Sequence, residues 1–179
     1  MKYSKSLQCI DIGNTRTSMG NYENGIITKH TYIPTIDLIE KKALILSPLL
    51  KYDIPISYCS VVPDAEIELI KFAKDNFLKL FNLNIRTIKK LPINYAFPDQ
   101  IGQDRLANSL AVYLRHDLPC IVLDIGTATT FDVITESEGY VGGVIAPGPQ
   151  GYLDFLHQNT ALLPKLKYLS QDIKIKIGK

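Results

Sequence analysis

The chain has 179 residues, 46% apolar and 21% charged, the balance of an ordinary globular protein and not of a disordered one, which needs low hydrophobicity and high net charge. Twenty Lys and Arg against 18 Asp and Glu leave a formal net charge of +2, so nothing points to general nucleic-acid binding. No apolar run approaches the roughly 18 residues of a membrane span, and the amino terminus lacks the apolar stretch of a signal peptide; the expected location is cytoplasmic, with no membrane or nucleic-acid partner.

Residues 7–12 form a short apolar run that ends in Gly13-Asn14, a strand feeding a tight turn. Residues 16–22 and 26–33 read as two more strands, and Asn24-Gly25 between them is a strong hairpin signal. Residues 36–50 have helical character that stops near Pro48. A fourth strand is expected over 56–62. Pro63-Asp64 then opens a helix over 65–81, with Ile67, Ile70, Phe72, Phe77, Leu78 and Phe81 as its apolar stripe. Residues 84–88 read as a fifth strand and 89–100, with two prolines, as a loop. A helix starting near Gly102 continues through 106–114, with Leu106, Leu110 and Leu114 at i, i+4 spacing. Strands follow over 120–125, 129–135 and 140–146, with Glu138-Gly139 at a turn, and a helix over 152–158. Cys9, Cys59 and Cys120 sit in or beside apolar runs with no CxxC pair, and read as reduced, buried thiols.

The order of elements repeats. Asp11-Ile12-Gly13 and Asp124-Ile125-Gly126 each end an apolar strand, and each is followed by Thr, a strand, a Gly-containing turn and another strand. One copy alone reads as a turn. Two copies in one context point to phosphate chemistry: glycine admits backbone N–H groups to an anion, threonine adds hydroxyls, and aspartate holds a hydrated cation. Two such hairpins facing each other would clamp a nucleotide. The chain has neither GxxxxGK[ST] nor GxGxxG.

Asp11-Ile12-Gly13-Asn14-Thr15 resembles the first phosphate motif of the type III pantothenate kinases, members of the acetate and sugar kinase, chaperone and actin superfamily. Similar blocks follow in order: Ser60 to Pro63, Gly102-Gln103-Asp104-Arg105 with Leu106 to Asn108, Leu123 to Asp132, Gly142-Gly143, Ala146 to Gly148 and Thr160 to Pro164. The resemblance covers essentially the whole chain. It implies an α/β fold of two ribonuclease H-like, actin-like ATPase lobes, 1–118 and an incomplete second lobe, 119–179. The implied activity is transfer of the ATP γ-phosphoryl group to pantothenate, the first step of coenzyme A synthesis, with Mg²⁺ and a monovalent cation, K⁺ or NH₄⁺. The implied assembly is a homodimer whose pantothenate pocket lies at the subunit interface.

The resemblance also implies roles. Asp11 lies near Mg²⁺ and the phosphates; Ile12, Gly13, Asn14, Thr15, Arg16, Thr17 and Ser18 belong to the phosphate hairpin, and Thr127 contacts ATP. Ser18 stands where many relatives carry Lys, so that charge is absent here. Asp104 is the general base that takes the alcohol's proton; an acid in the first turn of a helix also complements the helix dipole. Arg105 binds the pantothenate carboxylate, a task suited to a planar bidentate donor. Gly102, Gln103 and Tyr95 complete the substrate site, with Phe97 where relatives often have Asn. Asp124 is the monovalent-cation ligand. Asp132 reads as a strand-face residue. His30, His116 and His157 match no functional position.

The second copy is short, and Ile177-Gly178-Lys179 resembles the start of an Ile-Gly-x-x-Thr block whose threonine, a pantothenate ligand in relatives, would fall beyond Lys179. The chain is therefore expected to be a truncated or pared-down member. Two other readings stand beside the kinase: another small-molecule kinase of the superfamily, and a non-catalytic nucleotide-binding or assembly module.

Overall fold

The computed structural model describes residues 6–41, 44–51 and 53–167; the Ile177 to Lys179 block lies outside them. Two sheets are formed. The first has the order β3-β2-β1-β4-β5 and the second β6-β7-β8. β1 (Ser6–Ile12), β2 (Arg16–Glu23) and β3 (Ile26–Pro34) make an antiparallel meander. Asn24 and Gly25 turn between β2 and β3 with φ of 51° and 92°, the left-handed pair that matches strand twist in a two-residue hairpin. β4 (Ile56–Ser60) and β5 (Leu80–Asn82) add in parallel beyond β1, joined by the crossover helix α2 (Pro63–Asp75) that parallel neighbours require.

Alternation along β1 decides which face does what. Ile10 and Ile12 are buried beneath α1 (Thr35–Glu40) and α2, with Leu38, Leu46, Ile56, Leu69 and Phe72 in the same core. Cys9 and Asp11, one residue out of phase, lie on the opposite face, which looks toward α3 (Gln103–Arg115).

The second sheet, β6 (Cys120–Ile125), β7 (Ala128–Thr135) and β8 (Gly139–Pro147), is again an antiparallel meander, followed by α4 (Pro149–Asn159). Its register puts Asp124 beside Thr130, Val122 beside Asp132, and Ile134 beside Tyr140 on one face. A second core joins Tyr140 to Leu91, Ile101 and Leu106, so the 89–101 segment and α3 pack on this sheet. Asn94 N–H donates to Tyr140 O and Tyr140 N–H to Pro92 O, both at 2.9 Å, extending the sheet along β8. The other face, with Ile121, Leu123, Ile125, Phe131 and Val144, is exposed. None of the described helices is long and apolar enough to cross a membrane.

Three segments differ from the sequence reading. The helix expected over 65–81 ends at Asp75: Phe77 takes a left-handed φ of 55°, Asn76 Nδ2 donates to Phe72 O, and Leu78 N–H folds back to Ala73 O, a closure typical of helix C-termini. Its buried face is Ala65, Leu69, Phe72 and Ala73, while Ile67, Ile70, Phe77 and Phe81 are exposed. The strand expected over 84–88 is a turn instead, because Asn84 Oδ1 accepts the N–H groups of Arg86 and Thr87, an Asx turn that competes with extended backbone. The fifth strand forms earlier, at Leu80–Asn82. The helix expected over 36–50 is α1 and a separate 3₁₀ turn, Leu44–Leu46, which cannot run on through Pro48, a residue without an N–H.

The register of α2 gives a direct test. Leu69→Ala should cost about 2–5 kcal/mol of stability in urea denaturation, whereas Ile67→Ala should cost less than about 1 kcal/mol. The opposite order would mean that the helix buries its other face.

Candidate active site

The two repeated hairpins meet. Thr15 Oγ1 and Thr127 Oγ1 are 2.8 Å apart, joining the β1–β2 turn to the β6–β7 turn across 112 residues of sequence. The turns are similar but not identical. Gly13 N–H donates to Arg16 O, three residues on, whereas Gly126 N–H donates to Ala128 O, two residues on. The second turn is one residue shorter, which brings Thr127 rather than Ala128 opposite Thr15.

Each turn is held from outside. Thr35 Oγ1 donates to Gly13 O at 2.6 Å, and Thr35 N–H donates to Thr15 O. Thr17 is fully buried against the Thr35 hydroxyl at 3.0 Å. Ile12 is also fully buried. The side chains of Ile12 and Thr17 therefore serve the core, and only their backbone belongs to the hairpin. Asn14, Thr15 and Arg16 are exposed, and Arg16 lies over the Tyr32 ring. Ser18 pairs with Asp11 across the strands. On the second hairpin, Gly148 N–H donates to Thr127 O. A Cβ at Gly148 would collide with the carbonyls of Gly126 and Thr127, so α4 starts against the turn only because that residue is glycine.

Three carboxylates converge here. Asp11 ends β1, Asp104 opens α3 and Asp124 lies near the end of β6. The packing around Asp11 raises its carboxyl above the ordinary value; the Cys59 hydrogen bond and Arg16 pull it down, while the charges of Asp104 and Asp124 push it further up. Cys59 Sγ donates to Asp11 Oδ1 at 3.4 Å, and burial raises the Cys59 thiol, so it stays a neutral donor. Asp124 Oδ2 accepts from Asn108 Nδ2 at 3.0 Å, which ties α3 to β6. Asp104 Oδ1 accepts the Arg105 N–H at 2.8 Å.

The remaining expected substrate residues divide. A Cβ at Gly102 would meet Asp104 Oδ1 at 2.5 Å, so glycine there leaves the carboxylate room. Tyr95 is 37% exposed and meets Phe97 and Tyr140 edge to face. Gln103 points away, toward the first sheet, where its Oε1 accepts from Ser60 N–H and Asn82 Nδ2, both at 2.9 Å. Arg105 turns to buried Asp132, with Nε at 2.9 Å and Nη2 at 2.6 Å from Oδ1. Cys59, Thr35 and Asn108 were not assigned from sequence, because each acts on a site residue through a tertiary contact. Asp132 did carry a signal: an acid on the same strand face as Asp124 and Thr130 in an apolar run needs a partner.

All three cysteines are free. The described residues contain no cluster of three or more His, Cys, Asp or Glu close enough to cage a metal ion.

The comparisons agree with this architecture. The family model for type III pantothenate kinase matches residues 7–179. A type III pantothenate kinase of Methylacidiphilum infernorum is 34% identical over 156 residues, covering 87% of this chain and 56% of the relative. One of Akkermansia muciniphila is 37% identical, covering 88% of this chain and 64% of the relative. The chain thus spans less than two thirds of the length of these relatives. Among solved structures, a Campylobacter jejuni protein described as a Baf family transcriptional activator superposes with a TM-score of 0.57 at 22% identity, over 86% of this chain and 60% of that one; this is a likeness of fold. The paired meanders and their neighbours make this a duplicated ribonuclease H-like, actin-like ATPase α/β fold. With the two hairpins, the GxDR helix start and the matched model in place, the chain belongs to the type III pantothenate kinase family.

Proposed function

We propose that this chain phosphorylates pantothenate with ATP, giving 4′-phosphopantothenate at the start of coenzyme A synthesis, in the cytoplasm. The observation that carries the reading is the meeting of both hairpins, 2.8 Å apart at Thr15 and Thr127, beside Asp11, Asp104 and Asp124. The Gly13–Ser18 hairpin and Thr127 are the ATP side of the site. Tyr95, Gly102, Asp104 and Arg105 are the pantothenate side, with Gln103 anchoring their segment to the first sheet. The two lobes of this reading are 1–118 and 119–179, with α3 packed against both sheets. A homodimer would cover apolar surface of α3 such as Leu114, which is 53% exposed.

The residues present fit the cations the family uses. Carboxylate oxygens suit Mg²⁺ and K⁺ or NH₄⁺, and Asp11, raised chiefly by burial and further by the charges of Asp104 and Asp124, stands where a cation would offset the gathered negative charge. With no all-protein cage among the described residues, the site fits Mg²⁺ held through one or two carboxylates plus substrate phosphates. Mg²⁺, when bound, neutralises charge on the phosphates. Asp124 keeps one oxygen on Asn108 and offers the other to a monovalent cation. Asp104, at the start of α3, takes the proton of the attacking hydroxyl as its oxygen bonds to the γ-phosphorus and the bond to ADP breaks.

Coupled ADP release with pantothenate and a panel of other small alcohols tests the reading; nucleotide binding without turnover would identify a non-catalytic module instead. Asp104→Asn should lower kcat by about 10²–10⁴ while pantothenate still binds. Arg105→Ala should raise KM more than it lowers kcat, with a loss of stability because buried Asp132 is left unpaired. Asp124→Asn should weaken activation by K⁺ or NH₄⁺.

Asp11 adds a pH dependence. Its raised value means that the folded chain holds this proton more tightly than the unfolded one. Stability therefore falls as pH rises from the ordinary carboxylate value through the raised one. Asp11→Asn should raise Tm at neutral pH, with the gain vanishing below the ordinary carboxylate range, while losing response to Mg·ATP. Thermal melts across pH, with and without Mg·ATP, check both signs.

A further inference from the structure

Asp132 is fully buried in the middle of β7. Its Oδ1 collects Arg105 Nε at 2.9 Å, Arg105 Nη2 at 2.6 Å and the Tyr140 hydroxyl, which donates at 2.9 Å. Its Oδ2 is buried without a partner, and Arg105 Nη2, although close, lacks hydrogen-bond geometry. A buried pair is at best weakly stabilising relative to apolar residues of the same volume, and one left half-satisfied is worse.

What the arrangement does achieve is orientation. The Arg105 side chain is 12% exposed; Nε and the buried Nη2 are both turned in to Asp132, which leaves Nη1 as the guanidinium nitrogen that can meet a second carboxylate. Gly143 sits opposite Asp132 in the register. A Cβ there would strike Phe131 O and Arg105 Nη2 and come within 2.8 Å of Asp132 Oδ1, so the glycine makes the space in which the guanidinium lies. Tyr140, fixed by Asp132, meets Tyr95 edge to face at 6.0 Å and 89°. One buried oxygen thus sets the direction of Arg105 and, through Tyr140, backs the Tyr95 ring.

We infer that Asp132 and Tyr140 are positioning residues that hold Arg105 and Tyr95 in place for the carboxylate end of the acceptor alcohol. This rests on the function proposed above.

Two readouts separate the two claims. The first needs no substrate: the Arg105 Nε–H signal in ¹⁵N-resolved NMR should exchange slowly in the wild-type chain and lose that protection in Asp132→Asn. The second is steady-state kinetics. Asp132→Asn should raise KM for pantothenate by about tenfold or more, as loss of a supporting partner does at ligand sites, with kcat changed much less. Tyr140→Phe, which keeps the ring, should raise KM less. In an Arg105→Ala background, Asp132→Asn should add only the smaller rise in KM seen for Tyr140→Phe, because only the route through Tyr140 and Tyr95 is left.

Unchanged KM in Asp132→Asn, or a full further rise in the Arg105→Ala background, would overturn the inference; so would an unprotected Nε–H signal in the wild-type chain. If Asp132→Asn does not fold, Tyr140→Phe decides: a raised KM with steady kcat supports the inference, and unchanged KM defeats it. A wild-type chain that keeps the protected Nε–H signal but never turns over pantothenate would defeat the functional reading and the ligand assigned here, and would leave the Asp132–Arg105 contact standing.

Discussion

A carboxylate inside a sheet is the constraint on which this structure turns. Asp132 is 0% exposed, and a lone buried charge costs several kcal/mol. Arg105 answers it from α3, and so the helix is held against the second sheet at one rotation and one height. The rest of that helix face follows. Asn108, close to one turn further on, reaches Asp124 on β6, and Asp104, just before, lies near enough to Asp11 for its charge to raise that carboxyl. Burial works against the Arg105 charge, but its hydrogen bond and attraction to Asp132 outweigh this and keep the guanidinium protonated.

The same helix is anchored on its other side. Gln103 accepts from Ser60 N–H at the end of β4 and from Asn82 on β5, while Arg105, two residues on, serves the second sheet. Neighbouring positions on a helix point in different directions, so alternate residues of the Gln103-Asp104-Arg105 run tie opposite sheets together, and Asp104 is left between them. The carboxylate read as the general base thus gains its place from residues that do no chemistry.

Much of the strand pattern was legible. β1 to β3 and β6 to β8 announce themselves by short apolar runs and by the glycine turns Asn24-Gly25 and Glu138-Gly139. Local chemistry explains the misreadings. The stripe expected on α2 counted Phe77 and Phe81, but a helix can end at a residue with a left-handed φ, and a bulky aromatic gives no warning of it. Asn84 ends the expected strand over 84–88 through its side chain, a competition that hydrophobic periodicity does not register.

The repeat Asp11-Ile12-Gly13 and Asp124-Ile125-Gly126, with the Gly102 to Arg105 block, was enough by itself to determine the family and two glycine hairpins, because these are properties of adjacent residues: an apolar strand, an acid at its end, a turn. Only the tertiary structure decided what each acid faces. Cys59 lies 48 residues from Asp11, Asp132 27 from Arg105, and Asn108 16 from Asp124. No spacing rule links such pairs. They meet because β4 pairs in parallel with β1, and because α3 packs across β7 and β6 to neutralise a charge that the sheet cannot leave bare.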